Sequence, residues 1–209
     1  MNSTRTNCVI LCSLLLLTAC SDPAADKPKV TATEAVPIAT PATTGERYSI
    51  SNDNSKIEFV GSKVTGSHNG SFQKFSGTID YAGQPEKSQV SVNIDMNSVE
   101  TDTAKLTEHL KTADFFEVSK YPQATFQSTE IKAGGEKGGT HTVTGNLQLH
   151  GVTKSITFPA TINVTGDAVT VDSTFAINRK DFGINYAGAA DNLIRDDVVL
   201  TLKISGTKP

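Results

Sequence analysis

The sequence predicts an all-β fold, an eight-stranded antiparallel β-barrel with a short helical insertion between the third and fourth strands. Three observations predict it. Apolar and polar residues alternate with period two through most of residues 48–204, which gives a sheet one dry and one wet face. The alternation switches once to near-helical spacing, at residues 101–111. The alternating segments number eight, which fits a sandwich or a barrel; closure leaves no exposed strand edge, so the barrel is preferred.

The amino terminus differs in kind. Arg5 precedes an apolar run from Val9 to Leu17, broken only by Cys12 and Ser13, and Leu17-Thr18-Ala19-Cys20 follows. The run is too short to cross a bilayer; it fits a signal-peptide core better than a short buried helix. Residues 1–19 are therefore expected to be removed, with Cys20 acylated as the first mature residue, because Leu-Thr-Ala-Cys resembles a bacterial lipobox. Cleavage would leave Cys20 as the sole cysteine, so no disulfide is expected within the mature chain. Residues 20–46 carry Pro23, Pro28, Pro37 and Pro41 without sustained periodicity and read as a flexible Ala/Thr/Pro tether, spanning roughly 25 to 30 Å if it behaves as a random chain.

The barrel domain occupies residues 47–209. Segments 48–50 and 57–64 read as one long first strand interrupted at Asn52-Asp53-Asn54. Residues 71–81 form the second, in which Phe75, Gly77, Ile79 and Tyr81 share a face while Phe72 is out of phase, so a bulge is expected near Gln73. Val90, Val92, Ile94 and Met96 mark the third. Ala104, Leu106 and Leu110 then take helical spacing behind Thr101 and Asp102 as caps, and Ala113-Asp114-Phe115-Phe116 follows as a short turn before Tyr121-Pro122. Strands resume at 124–131. After the glycines at 134–139, Val143, Leu147 and Leu149 share the dry face of the fifth strand. Gly151 supplies the turn, and Ile156, Phe158, Ala160, Ile162 and Val164 share a face of the sixth. Residues 169–177 and 198–204 complete the set.

Composition excludes several functions. A net charge of -3 argues against a nucleic-acid footprint, and 37% hydrophobic with 20% charged residues describes a globular protein. His68, His109, His141 and His150 lack metal-ligand spacing, and no nucleophile elbow or phosphate loop occurs. No enzyme activity, metal or cofactor is expected. Asp191, Arg195, Asp196 and Asp197 could bind a cation or close a mouth, but read better as a solvated loop before the last strand with Arg195 paired to a neighbouring carboxylate.

Three stretches carry a resemblance. Lys120-Tyr121-Pro122-Gln123-Ala124-Thr125-Phe126-Gln127-Ser128-Thr129, then residues 145–154 (Gly145-Asn146-Leu147-Gln148-Leu149-His150-Gly151-Val152-Thr153-Lys154), then Arg179-Lys180-Asp181-Phe182-Gly183-Ile184 resemble successive signatures of the YceI-like family. His109-Leu110 and residues 112–116 are similar to a fourth. The chain departs from the family at Leu106-Thr107-Glu108, where Arg-Asp is common, and lacks a histidine at 60–63, although His68 lies nearby.

The resemblance implies a lipocalin-like barrel of the bacterial envelope that binds a polyisoprenoid chain in its interior. From patterning alone, inward aromatics serve as solid core more often than as ligand lining; the resemblance shifts that expectation toward a cavity. The expected lining is Phe59, Phe75, Ile94, Leu110, Phe116, Phe126, Leu147, Leu149, Phe158, Phe175, Phe182 and Leu202. The expected partners are an isoprenoid lipid or quinone and, through the acyl anchor on Cys20, a membrane; a homodimer stays open. Ser21 rather than Asp after the cysteine favours the outer membrane, facing the periplasm. The alternative function is a structural or interaction lipoprotein whose barrel is filled.

Overall fold

The computed structural model describes residues 22–38, 45–190 and 192–208. Cys20 and the apolar run before it lie outside the described residues. Strands β1 (Lys29–Val30) and β2 (Thr33–Glu34) precede the barrel, which begins with β3 (Glu46–Ser51), β4 (Lys56–Lys63), β5 (Gly66–Phe72) and β6 (Phe75–Tyr81). It continues through β7 (Gln89–Asp95), β8 (Val99–Thr101), helix α1 (Ala104–Leu110), β9 (Gln123–Ala133), β10 (His141–Leu149), β11 (Val152–Thr165) and β12 (Ala168–Asn178). The short hairpin β13 (Gly188–Ala189) and β14 (Asn192–Leu193) leads into β15 (Asp197–Thr207), which pairs with β12 on one side and with β3 and β4 on the other. That double pairing closes an eight-stranded antiparallel barrel.

Part of the barrel is built from broken strands. β3 and β4 act as one strand because both lie on β15, with Ile50 opposite Gly206 and Lys56 opposite Lys203. The excess chain bulges out at the expected interruption, and the buried Ser55 hydroxyl replaces the lost ladder by accepting from Ser205 N (2.9 Å) and donating to Ser205 O (3.3 Å). β5 and β6 likewise form one strand, broken at Gln73 and Lys74. Their amides turn to Ser98, at 3.1 Å to its carbonyl and 2.9 Å to its hydroxyl. This break resets the phase, so Phe72 and Phe75 both pack inward although they are an odd number of residues apart. The second strand begins earlier than expected, at Gly66, because Gly66-Ser67-His68-Asn69-Gly70 pairs with β4 without any apolar alternation to announce it.

The helix is shorter than expected. Thr101 ends β8, and its amide is accepted by Thr107 Oγ1 (2.9 Å). Asp102 does not cap the helix; its carboxylate holds Asn69 N (3.1 Å) and His68 Nδ1 (2.8 Å). Leu110 is buried with Phe59, Val99, Phe115 and Ile184, which seats the helix and the following turn over one end of the barrel.

One seam of the barrel is not laddered throughout. β11 and β12 pair from Thr161–Asp172 to Thr165–Ala168 and then separate. Pro159 stands at the parting and has no N–H to offer a partner, which confines a proline to a strand edge. A single side-chain bond, Ser173 Oγ to Pro159 O (2.5 Å), crosses there.

The segment expected as a tether fills this gap in part. Lys29 and Val30 pair parallel with Ala176 and Ile177, while Thr33 and Glu34 pair antiparallel with Ser155 and Lys154. Val30 is buried in the main core cluster, and Asn146 clamps Val36 through both its amide atoms (3.1 and 2.7 Å). Residues 22–38 are thus a docked strap rather than free chain. Their lack of periodicity is compatible with this, since they add a strand to an existing edge and need few apolar residues of their own.

Candidate functional site: an apolar cavity in the barrel

The inward faces of the strands enclose a cavity in which the centres of water-sized spheres can occupy about 220 Å³. One water needs only about 10 to 15 Å³ on such a measure, so this space is far larger than a packing defect. Its wall includes ten of the residues expected there: Phe59, Ile94, Leu110, Phe116, Phe126, Leu147, Leu149, Phe158, Phe175 and Leu202. Phe75 and Phe182 are not on this wall. Both are buried in the main core cluster but do not reach the cavity: Phe182 is fully enclosed in the turn Arg179–Phe182, and Phe75 packs within the core.

Aromatic rings form two groups on the wall. Phe158 stacks on Phe175 with centroids 4.4 Å apart, and Phe126 adds a tilted contact to Phe158 at 5.7 Å. Phe126 can lie flat against the wall because Gly145 has no Cβ to strike its ring, and the register shift between Thr144 and Gly145 falls at the same point. Nearer the helix, Phe72 bridges Phe59 (5.6 Å) and Phe116 (6.1 Å). Phe72 was legible only as an out-of-phase residue. Ile184 and Ile194, which also line the cavity, come from the loop before β15, where no period exists to mark them.

Arg179 is the charged residue on this wall. Its guanidinium is buried and spoken for: Nη1 donates to Ile184 O (2.7 Å), Nε to Arg195 O (3.2 Å) and Nη2 to Asp196 Oδ1 (3.3 Å). Desolvation pushes its pKa down and Asp196 opposes the shift, yet an arginine starts high enough to stay charged. Arg179 therefore ties the 184–196 loop to the barrel.

The histidines are engaged elsewhere. His68 meets Asp102 and His109 meets Asp114, each at 2.8 Å; His141 Nδ1 lies 2.8 Å from Thr140 Oγ1. Among the described residues, no group of three or more His, Cys, Asp or Glu side chains is placed to hold a metal ion.

A scan against protein-family models matches the YceI-like domain over residues 48–206. The chain belongs to the YceI-like family. It is 39% identical over 136 residues to a UPF0312 protein of Pseudomonas putida (strain W619), covering 62% of this chain and 70% of that one. A UPF0312 protein of Pseudomonas fluorescens is 35% identical over 138 residues, covering 63% and 71%. Among solved structures, Burkholderia cenocepacia BcnA superposes with a TM-score of 0.64 at 24% identity, covering 76% of this chain and 99% of that one. A polyisoprenoid binding domain from Saccharophagus degradans superposes at 0.62 with 22% identity, covering 78% and 99%. At those identities the two structures speak for the fold.

The YceI-like signatures converge on one end of the barrel. His150 and Gly151 form a tight hairpin with φ of 51° and 75°, and a Cβ at Gly151 would strike the ring of Tyr121. Tyr121 packs edge-on against His150 (4.8 Å), whose Nδ1 donates to Phe182 O (3.2 Å). One residue from each signature thus meets the next. This arrangement fastens the β10–β11 hairpin to the turns on either side.

Proposed function

We propose that this YceI-like barrel binds an isoprenoid-type lipid, a quinone or a polyprenyl chain, in its central cavity. We further propose that it works in the bacterial envelope as a lipoprotein acylated on Cys20, on the outer membrane facing the periplasm. The observation that carries the reading is the continuous apolar wall around a space too large to be a packing defect. The name given to the Saccharophagus degradans neighbour agrees with it. A filled barrel acting only through its outer surface is the reading that the cavity disfavours.

Affinity would come from chain burial. Each five-carbon unit transferred from water contributes roughly 3 to 4 kcal/mol gross, at about 0.8 per methylene, so a few units exceed what complexes retain net. Among the described residues the wall is made of apolar side chains and the engaged Arg179, which supports binding, carriage or storage as the class of activity.

The test begins with extraction of purified protein into organic solvent and mass spectrometry of the extract, where an isoprenoid lipid is expected. A fluorescent polyprenyl analogue should then bind the wild type. In Leu147→Gln an amide replaces a buried wall residue, and about 2 to 4 kcal/mol of transfer and pairing energy is lost. Binding should fall more than apo-protein stability, because water can reach an amide beside an empty cavity. Unchanged binding per folded molecule with a large stability loss would sink the assignment.

A further inference from the structure

We propose that the capped end of the barrel docks on the lipid bilayer through an apolar rim formed by Val64, Tyr186 and Leu193. The inference rests on acylation of Cys20, part of the function proposed above, and goes beyond it by fixing which face of the protein meets the membrane.

Three observations carry it. The first is exposure in a cluster: Val64 is 50% and Leu193 49% exposed, and they are neighbours, with Val64 N donating to Leu193 O at 3.2 Å. Tyr186, 37% exposed, stands two residues before that hairpin and packs edge-on against Phe115 of the cap at 5.3 Å. Amphipathic tyrosine beside exposed aliphatic residues suits the headgroup boundary of a bilayer.

The second is where the anchor arrives. Asp22 pairs with Arg195 Nη1 at 3.4 Å, and Arg195 N is held by Ser62 O at 2.8 Å, next to the rim. Ala24 is fully buried against the outer wall with Ala176 and Val199. Cys20 lies two residues before Asp22, and two residues span at most about 7 Å. A docked strap therefore leaves almost no free tether, and acyl chains on Cys20 would hold this end against the bilayer.

The third is the alternation across β14. Leu193 faces out while Ile194, the next residue, lines the cavity. Gly61 and Ile184 also belong to the cavity wall near this end. The rim thus sets the cavity's end beside the layer in which an isoprenoid chain dissolves. Three nearby cations carry carboxylate partners, Arg195 with Asp22, Lys180 with Asp196 and Lys29 with Asp197, while Lys63 stands beside Val64 at the rim.

The chain has no tryptophan, which makes single-tryptophan reporters clean. The acylated full-length protein is placed in phosphatidylethanolamine/phosphatidylglycerol vesicles whose acyl chains carry bromine, a contact quencher. Leu193→Trp on the rim is compared with Val164→Trp, an exposed position at the opposite end of the barrel. The expected result is loss of emission for Leu193→Trp, with Val164→Trp unquenched. No quenching at Leu193→Trp, equal quenching at both positions, or an intact mass lacking acyl chains overturns the proposal. Analogue binding by the Cys20→Ser chain in solution reads the cavity alone, so the two readings fail independently.

Discussion

Two parts of the barrel are closed by something other than a continuous ladder, and opposite means close them. The seam between β11 and β12 is partly filled by the strap, through short backbone pairings, the Asn146 clamp and exposed ion pairs such as Lys154–Glu34 at 2.7 Å. The capped end is sealed by buried side chains, Leu110, Phe115 and Ile184 against Phe59 and Val99. Exposed ion pairs contribute little, whereas enclosed aromatic and aliphatic surface contributes most of the stability of such contacts. The seam is accordingly the weaker closure, and a strap that partly fills it also shortens the anchor's reach.

The largest expected effect lies at the cap. Phe115→Ala removes a buried ring and should lower unfolding free energy by about 3 kcal/mol, read by denaturant melts of the apo protein. A smaller loss than that caused by releasing the strap would reverse the ranking of the two closures.

An intermediate effect is expected at the seam. Val30→Asp places a carboxylate where an apolar side chain is buried, and the strap escapes that cost by undocking. Stability should therefore fall by only the docking energy, on the order of 1 to 2 kcal/mol for one valine and its pairings. The Ala176 amide, donated to Pro28 O at 2.8 Å, should exchange much faster while the cap's amides keep their protection. Joint deprotection of both regions would mean that they open as one unit.

The smallest effect is a pH dependence confined to the strap. The hydrogen bond from Lys154, aided by its charge, holds the Glu34 carboxyl below the usual range. A depressed carboxylate stabilises the docked form at neutral pH, and that contribution is lost as pH falls from the ordinary value of about 4.3 through the lower docked one. Strap amides, corrected for intrinsic exchange, should lose protection first on acidification, and Glu34→Gln should weaken that pH dependence. An unchanged profile in the variant assigns the acid response to another group.

Much of this architecture was legible because the signals are local. Period-two patterning exposed the long strands β9 to β12 and β15, and ten wall residues fell on faces assigned from it. The broken strands were only half legible. Asn52-Asp53-Asn54 marked the first interruption, but nothing in Gly66-Ser67-His68-Asn69-Gly70 signals a strand, since its place comes from pairing with β4. Phe75 and Phe182 lie off the wall, and no face assignment separates them from it, since a face tells inside from outside and not a core position from a cavity wall. Asp191, read with the loop before the last strand, lies outside the described residues, and Arg195 found its carboxylate far away in sequence, at Asp22.

By itself, then, the sequence determined the fold class, the order and inward faces of the long strands, and the family signatures, all of which depend on residue spacing within one segment. The tertiary structure decided that the interior keeps a cavity, that β11 and β12 part beside Pro159, and that residues 22–38 fill part of the gap. Those outcomes depend on how volumes sum across opposing strands and on which edge is left unpaired. Neither quantity is carried by a local pattern, because each arises only when residues distant in the chain are brought together.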